Sequence, residues 1–169
     1  FLNLKAEEIN FKKKFDYVFS LGVIHHIPDH QIACQKIYNS LKKKGKFIGW
    51  VYGSEGNELY LLIFNNLRRI TIALPDNVLR IICHFLNLAC YLYIFLCKIM
   101  PLPMRNYMLR IFNKCSYKKR NLMIFDQLNP SYAKYFKKED LENLLQKSGF
   151  KKFELIHRHK YSWTIIAEK

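Results

Sequence analysis

Two adjacent histidines, His25 and His26, stand just beyond an apolar run that closes on Ser20, Leu21 and Gly22. A neutral imidazole near pH 7 suits a proton acceptor. Adjacent side chains on a turn cannot both face one way, so one of the pair, His25, is expected to look into a cleft. The plainer reading is that one or both only cap a helix opening near Asp29. Gly22 lets backbone approach a ligand closely. No metal centre is signalled, because the five cysteines are odd in number and form no CxxC pair. Cys83, Cys90 and Cys97 fall seven apart on one helical stripe, where Cys packs as a small hydrophobe.

The elements that must position these residues follow from periodicity. Apolar runs at residues 1–4, 17–21 and 46–52 read as strands, with a helix over 29–43 between the last two. In that helix Asp29 is a plausible N-cap and Ala33, Ile37 and Leu41 form one stripe. Lys42, Lys43 and Lys44 sit where a helix C-terminus favours cations, and Gly45 stops the helix. A later block repeats this grammar. Glu139 and Asp140 open a helix ended by Gly149, and strands over 152–156 and 161–167 are joined by a turn over 157–160.

Residues 54–134 are different: rich in Leu, Ile, Tyr and Phe, with helices expected over 58–73, 76–100 and 104–115 and breaks at Pro75, Pro101 and Pro103. The chain therefore divides into 1–53, an α-helical insertion at 54–134, and 135–169. Strands alternating with helices predict an α/β sheet ending in an antiparallel hairpin. In such a sheet ligands bind outside the carboxyl ends of the strands, where Ser20, Leu21, Gly22 and the histidine pair emerge.

The run from Phe15-Asp16-Tyr17-Val18-Phe19-Ser20-Leu21-Gly22 through Ile24-His25-His26-Ile27-Pro28-Asp29 to Leu41-Lys42-Lys43-Lys44-Gly45-Lys46-Phe47 resembles a segment of class I S-adenosylmethionine-dependent methyltransferases. There a strand ends at a Gly, an LHH turn follows, and a helix ending LKPGG leads into the next strand. Trp50-Val51-Tyr52-Gly53 and Phe125-Asp126 to Asn129-Pro130-Ser131-Tyr132 resemble stretches of one small-molecule branch of that family. The resemblance implies a Rossmann-like sheet and S-adenosylmethionine as cofactor. It implies Ala6 and Glu7 on the adenine side, Ser20, Leu21 and Gly22 on the cofactor wall, and His25 as the catalytic residue. His26, Tyr52 and Tyr132 are implied at the acceptor, with the insertion as its lid. Lys5 stands where the family usually has the Asp that faces adenine.

The family's glycine-rich loop is absent from these 169 residues, and the chain starts at Phe1 in what reads as a strand. The expectation is a sheet lacking its first strands, truncated upstream and inactive alone. Twenty-eight Lys and Arg against 13 Asp and Glu give a formal charge of +15, which favours an acidic partner. The basic clusters sit in separate blocks, so nucleic acid is the less favoured one. The apolar run over 81–97 suits a buried or membrane-leaning helix better than a transmembrane span, because His84 and Asn87 interrupt it. These features predict a small-molecule or lipid-linked methyl acceptor, and a cytoplasmic setting with room for peripheral membrane contact. The alternative is a non-catalytic, basic membrane-surface module.

Overall fold

The computed structural model describes residues 2–129, 132–159 and 161–169, so Phe1, the Pro130-Ser131 pair of the second motif and Lys160 of the expected hairpin turn lie outside the described residues. The sheet has the order β1-β2-β4-β3. Strand β1 (Phe15–Leu21) runs parallel to β2 (Leu41–Tyr52), with helix α1 (His30–Ser40) as the crossover between them. Strands β3 (Lys152–Arg158) and β4 (Ser162–Glu168) form the antiparallel hairpin, and β4 pairs with β2. Helix α6 (Lys138–Ser148) leads into β3.

One compact unit comprises residues 1–62 and 131–169, and a second comprises 63–130. In the first, alternation along the strands decides which side chains are enclosed. Phe47 and Val51 of β2 and Trp163, Ile165 and Ala167 of β4 are buried together with Cys34 and Ile37 of α1, Leu141, Leu144 and Leu145 of α6, and Phe150. Each Val, Leu, Ile or Phe among them is worth about 1.5–3 kcal/mol when taken from water. On the other face of the sheet Tyr17, Phe19 and Leu21 remain 58–62% exposed.

Several expectations need correction. Residues Leu2–Leu4 form no strand, and Leu2 and Leu4 are 70% and 51% exposed. An apolar run becomes a strand only where a neighbour completes its ladder, and β1 pairs with β2 alone among the described residues. The first helix ends at Ser40, because Leu41 turns extended and pairs with Phe15. Lys42, Lys43, Lys44 and Gly45 then bulge within β2, where Lys42 meets Asp16 at 2.8 Å, instead of ending a helix. Asp29 occupies the N-cap position, but its side chain makes no capping hydrogen bond. His157 and Arg158 extend β3, so the turn is shorter than expected.

The second unit contains α3 (Asp76–Ile99), α4 (Arg105–Arg110) and α5 (Tyr117–Leu128), and helix α2 (Glu58–Thr71) enters it. The helix expected over 104–115 breaks after Arg110 into a short 3₁₀ turn, Phe112–Lys114, which puts Phe112 among Ile94, Cys97 and Met108. A second cluster joins Leu79, Cys83 and Leu128. Polar ties close the unit: Asn87 Nδ2 donates to the Tyr117 carbonyl at 3.0 Å and to Asn121 Oδ1 at 2.7 Å.

Candidate active site at the strand ends

β1 stops at Leu21 because Gly22 adopts φ +79°, a left-handed conformation that glycine takes without steric cost. Its N–H donates to the Trp50 carbonyl at 3.0 Å, the last tie to β2 before the chain turns away. A 3₁₀ turn over Ile24–His26 follows, anchored by Ile24 in the core. The segment 132–136 returns across the same strand ends. Phe136 N–H donates to the Tyr52 carbonyl at 2.9 Å, and Lys134 N–H donates to the His25 carbonyl at 2.8 Å.

The rings gathered here are mostly aromatic. Tyr52 lies with its centroid 3.9 Å from His25, 5.4 Å from Trp50 and 5.2 Å from Tyr135, stacked on the last. Tyr60 stands 6.2 Å from Tyr135. His25 is 1% exposed, and neither ring nitrogen has a hydrogen-bond partner among the described residues. Burial, with the neighbouring His26 adding to it, pushes its pKa down to about 3, so the ring is neutral through the physiological range. A buried unpaired polar group costs about 1–3 kcal/mol. Both atoms sit on one ring enclosed by Trp50 and Tyr52 at the end of the strands, which is why neither reaches water.

The expected site residues fall in three places. His25, His26, Tyr52 and Tyr132 come together, but differently from the sequence expectation. His25 is enclosed beneath aromatic rings. His26 is exposed and does not cap the helix, since its Nδ1 lies 2.8 Å from the Tyr132 carbonyl and must donate to it. Ser20 is half-buried, Leu21 is 62% exposed, and both flank Gly22 at the end of β1. Ala6 and Glu7 lie half-buried on a 3₁₀ turn that packs against α1. The carboxylate engaged there is Glu8, which accepts from the Lys5 N–H at 3.2 Å.

Trp50, Tyr60 and Tyr135 are absent from the expected set. Trp50 was findable, because it lies two residues before Tyr52 on one strand and so shares its face. Tyr60 and Tyr135 carry no such signal; they arrive by tertiary placement.

For S-adenosylmethionine the described residues offer one wall. A Cβ on Gly22 would stand 3.7 Å from the Trp50 ring, so the backbone there is approachable beside an indole face. Leu21 and the 49% exposed Val23 add apolar surface next to it. These residues fit an uncharged flank of the cofactor. The position next to Ala6 carries Lys5, which supplies no acceptor for an adenine amino group.

A family model described as a methyltransferase domain matches residues 1–49. Over 55 residues the chain is 38% identical to the malonyl-[acyl-carrier protein] O-methyltransferase of Calditerrivibrio nitroreducens, covering 32% of this chain and 22% of that protein. A SAM-dependent methyltransferase structure from Methanosarcina mazei superposes with a TM-score of 0.51 at 12% identity, covering 98% of this chain and 65% of that one, and shows the fold. The chain thus spans about a fifth of the length of the curated relative it matches. Over residues 1–49 the chain is thus similar to a methyltransferase domain, and its strand order is that of the Rossmann-like methyltransferase fold.

Proposed function

We propose that this chain serves in the transfer of a methyl group from S-adenosylmethionine to an O, N or C nucleophile of a small-molecule or lipid-linked acceptor. The observation that carries this reading is the enclosed, unpartnered imidazole of His25 against Tyr52, beside the Gly22 turn. The oxygen acceptor in the curated relative's name favours an O nucleophile. A non-catalytic membrane module has no support from the family match.

When bound, the cofactor supplies an electrophilic methyl on a sulfonium. Leu21, Gly22 and Ser20 would hold its flank, with Ala6 and Glu7 towards adenine. His25, neutral at pH 7, can donate from one ring nitrogen and accept at the other. Bound to an acceptor hydroxyl or carboxyl, it would orient that group by hydrogen bonding. Tyr52 and Tyr135 keep water from the ring, His26 fixes the turn through the Tyr132 carbonyl, and Tyr132 lies at the acceptor side. Positioning of this kind accounts for much of the rate where the leaving group is already good.

In the whole protein His25→Ala is expected to lower kcat/KM by about 10²-fold, with cofactor Kd unchanged. Wild-type turnover of that variant across pH 6 to 9 would remove His25 from the mechanism. The 169-residue chain offers one cofactor wall and no glycine-rich loop, so it is expected to be inactive and to bind S-adenosylmethionine only weakly. Calorimetry giving micromolar affinity for this chain would refute that.

A further inference from the structure

Helix α3 leaves a continuous apolar stripe uncovered. Ile81, Phe85, Leu88, Leu92, Phe95 and Ile99 follow each other at steps of four and three residues, which places them on one face, and all are 56–70% exposed. The opposite face, with Leu79, Cys83, Asn87, Ile94 and Cys97, is buried within the same unit. The most apolar 18-residue stretch of α3 has a mean hydropathy of 1.8 and only 22% of it is buried, unlike a helix from the core of a water-soluble domain. We propose that α3 docks by this stripe onto an anionic lipid surface, lying in the plane of the interface.

Charge selects the occupant. Residues 63–130 carry ten Lys and Arg against two acids, Asp76 and Asp126. A second copy would bring the same positive field against itself, whereas anionic headgroups are attracted. Arg80 and Lys98 are exposed and five turns apart on one flank of the stripe, where long basic side chains can reach headgroups while apolar neighbours sink in.

Geometry selects the orientation. At 24 residues α3 is about 36 Å long, enough to cross a hydrocarbon core of about 30 Å. Its other face, however, is committed to α5 through the Asn87 bonds to Tyr117 and Asn121. Crossing would draw Lys118 and Lys119 of α5, both exposed, into hydrocarbon, and the 12 residues of α5 reach only about 18 Å. One face enters and the other stays wet. This inference goes beyond the methyl-transfer reading and does not depend on it.

The test is flotation of the purified full chain with vesicles of phosphatidylcholine containing 30% phosphatidylserine, and with phosphatidylcholine alone. The expected result is at least tenfold more protein floating with the anionic vesicles, partial release by high salt, and full release by alkaline carbonate. Phe85→Asp with Leu92→Asp, both on the exposed stripe, should abolish flotation with helicity by circular dichroism unchanged. If that variant misfolds, Arg80→Glu with Lys98→Glu, on exposed positions flanking the stripe, should still lower anionic flotation severalfold. Flotation that survives the stripe variant, or equal flotation on both vesicle types, overturns the docking. Resistance to carbonate overturns the in-plane orientation. A stripe-dependent dimer that does not float assigns the face to a second copy and overturns the proposal.

Discussion

His25 illustrates how a residue can be chemically informative because it is badly served. An imidazole with no partner at either nitrogen among the described residues, 1% exposed against Tyr52, trades hydrogen bonding for packing. Burial is the larger cause of its pKa falling from 6.5 to about 3. The sign of the linkage follows. Between pH 6.5 and about 3 the folded ring refuses a proton that the unfolded ring accepts. Its stability contribution is complete above pH 6.5 and is lost as pH falls, at up to about 1.4 kcal/mol per pH unit. His25→Leu removes both the titration and the unpaired nitrogens at similar volume. Denaturant unfolding at pH 7, 6 and 5 should therefore show wild type losing about 1–3 kcal/mol more than the variant between pH 7 and 5. Parallel losses in the two proteins would mean that His25 is hydrated in solution.

At the scale of elements, what could be read from the sequence was what local chemistry decides. Gly149 ends α6 with φ +107°, as its place after Leu144 and Leu145 implies, and β3 and β4 form the expected hairpin. What could not be read was decided by partners distant in the chain. Residues 42–45 look like a helix end until β1 is laid beside them. The carboxylate of Glu55, which accepts from Lys138 N–H at 2.9 Å and Trp163 Nε1 at 3.1 Å, joins α6 to β4 without any local pattern to announce it. The site divides the same way: the strand end and histidine pair were legible, whereas the burial of His25 and the rings of Tyr60 and Tyr135 required the return of residues 132–136. Gly149 also gives an element-scale prediction. A Cβ there would stand 2.9 Å from the Tyr38 ring in a left-handed conformation, so Gly149→Ala should cost about 1–3 kcal/mol. Urea midpoints measure it, and a loss below about 0.5 kcal/mol would mean that the turn relaxes freely.

The two units of the whole molecule differ in how much core each owns. Among the described residues, the unit spanning 1–62 and 131–169 encloses fourteen buried side chains in one cluster, with β2 and β4 hydrogen-bonded on both edges. The described residues of 63–130 hold two small clusters, of four and three buried side chains, while their longest helix leaves a whole apolar face in water. Opening free energies follow the buried apolar contacts that an opening must break, so the two units should not open together. Native-state hydrogen exchange is expected to show the slowest amides in β2, at Phe47–Val51, and in β4, at Trp163–Ala167. Amides of α2 to α5 should exchange through openings several kcal/mol lower in free energy. Uniform protection across both units would show that they unfold as one. Anionic vesicles should then raise protection along α3 and leave β2 and β4 unchanged, since only the helical unit presents the stripe. Protection gained in the strands instead would place the lipid contact on the exposed sheet face of Tyr17, Phe19 and Leu21.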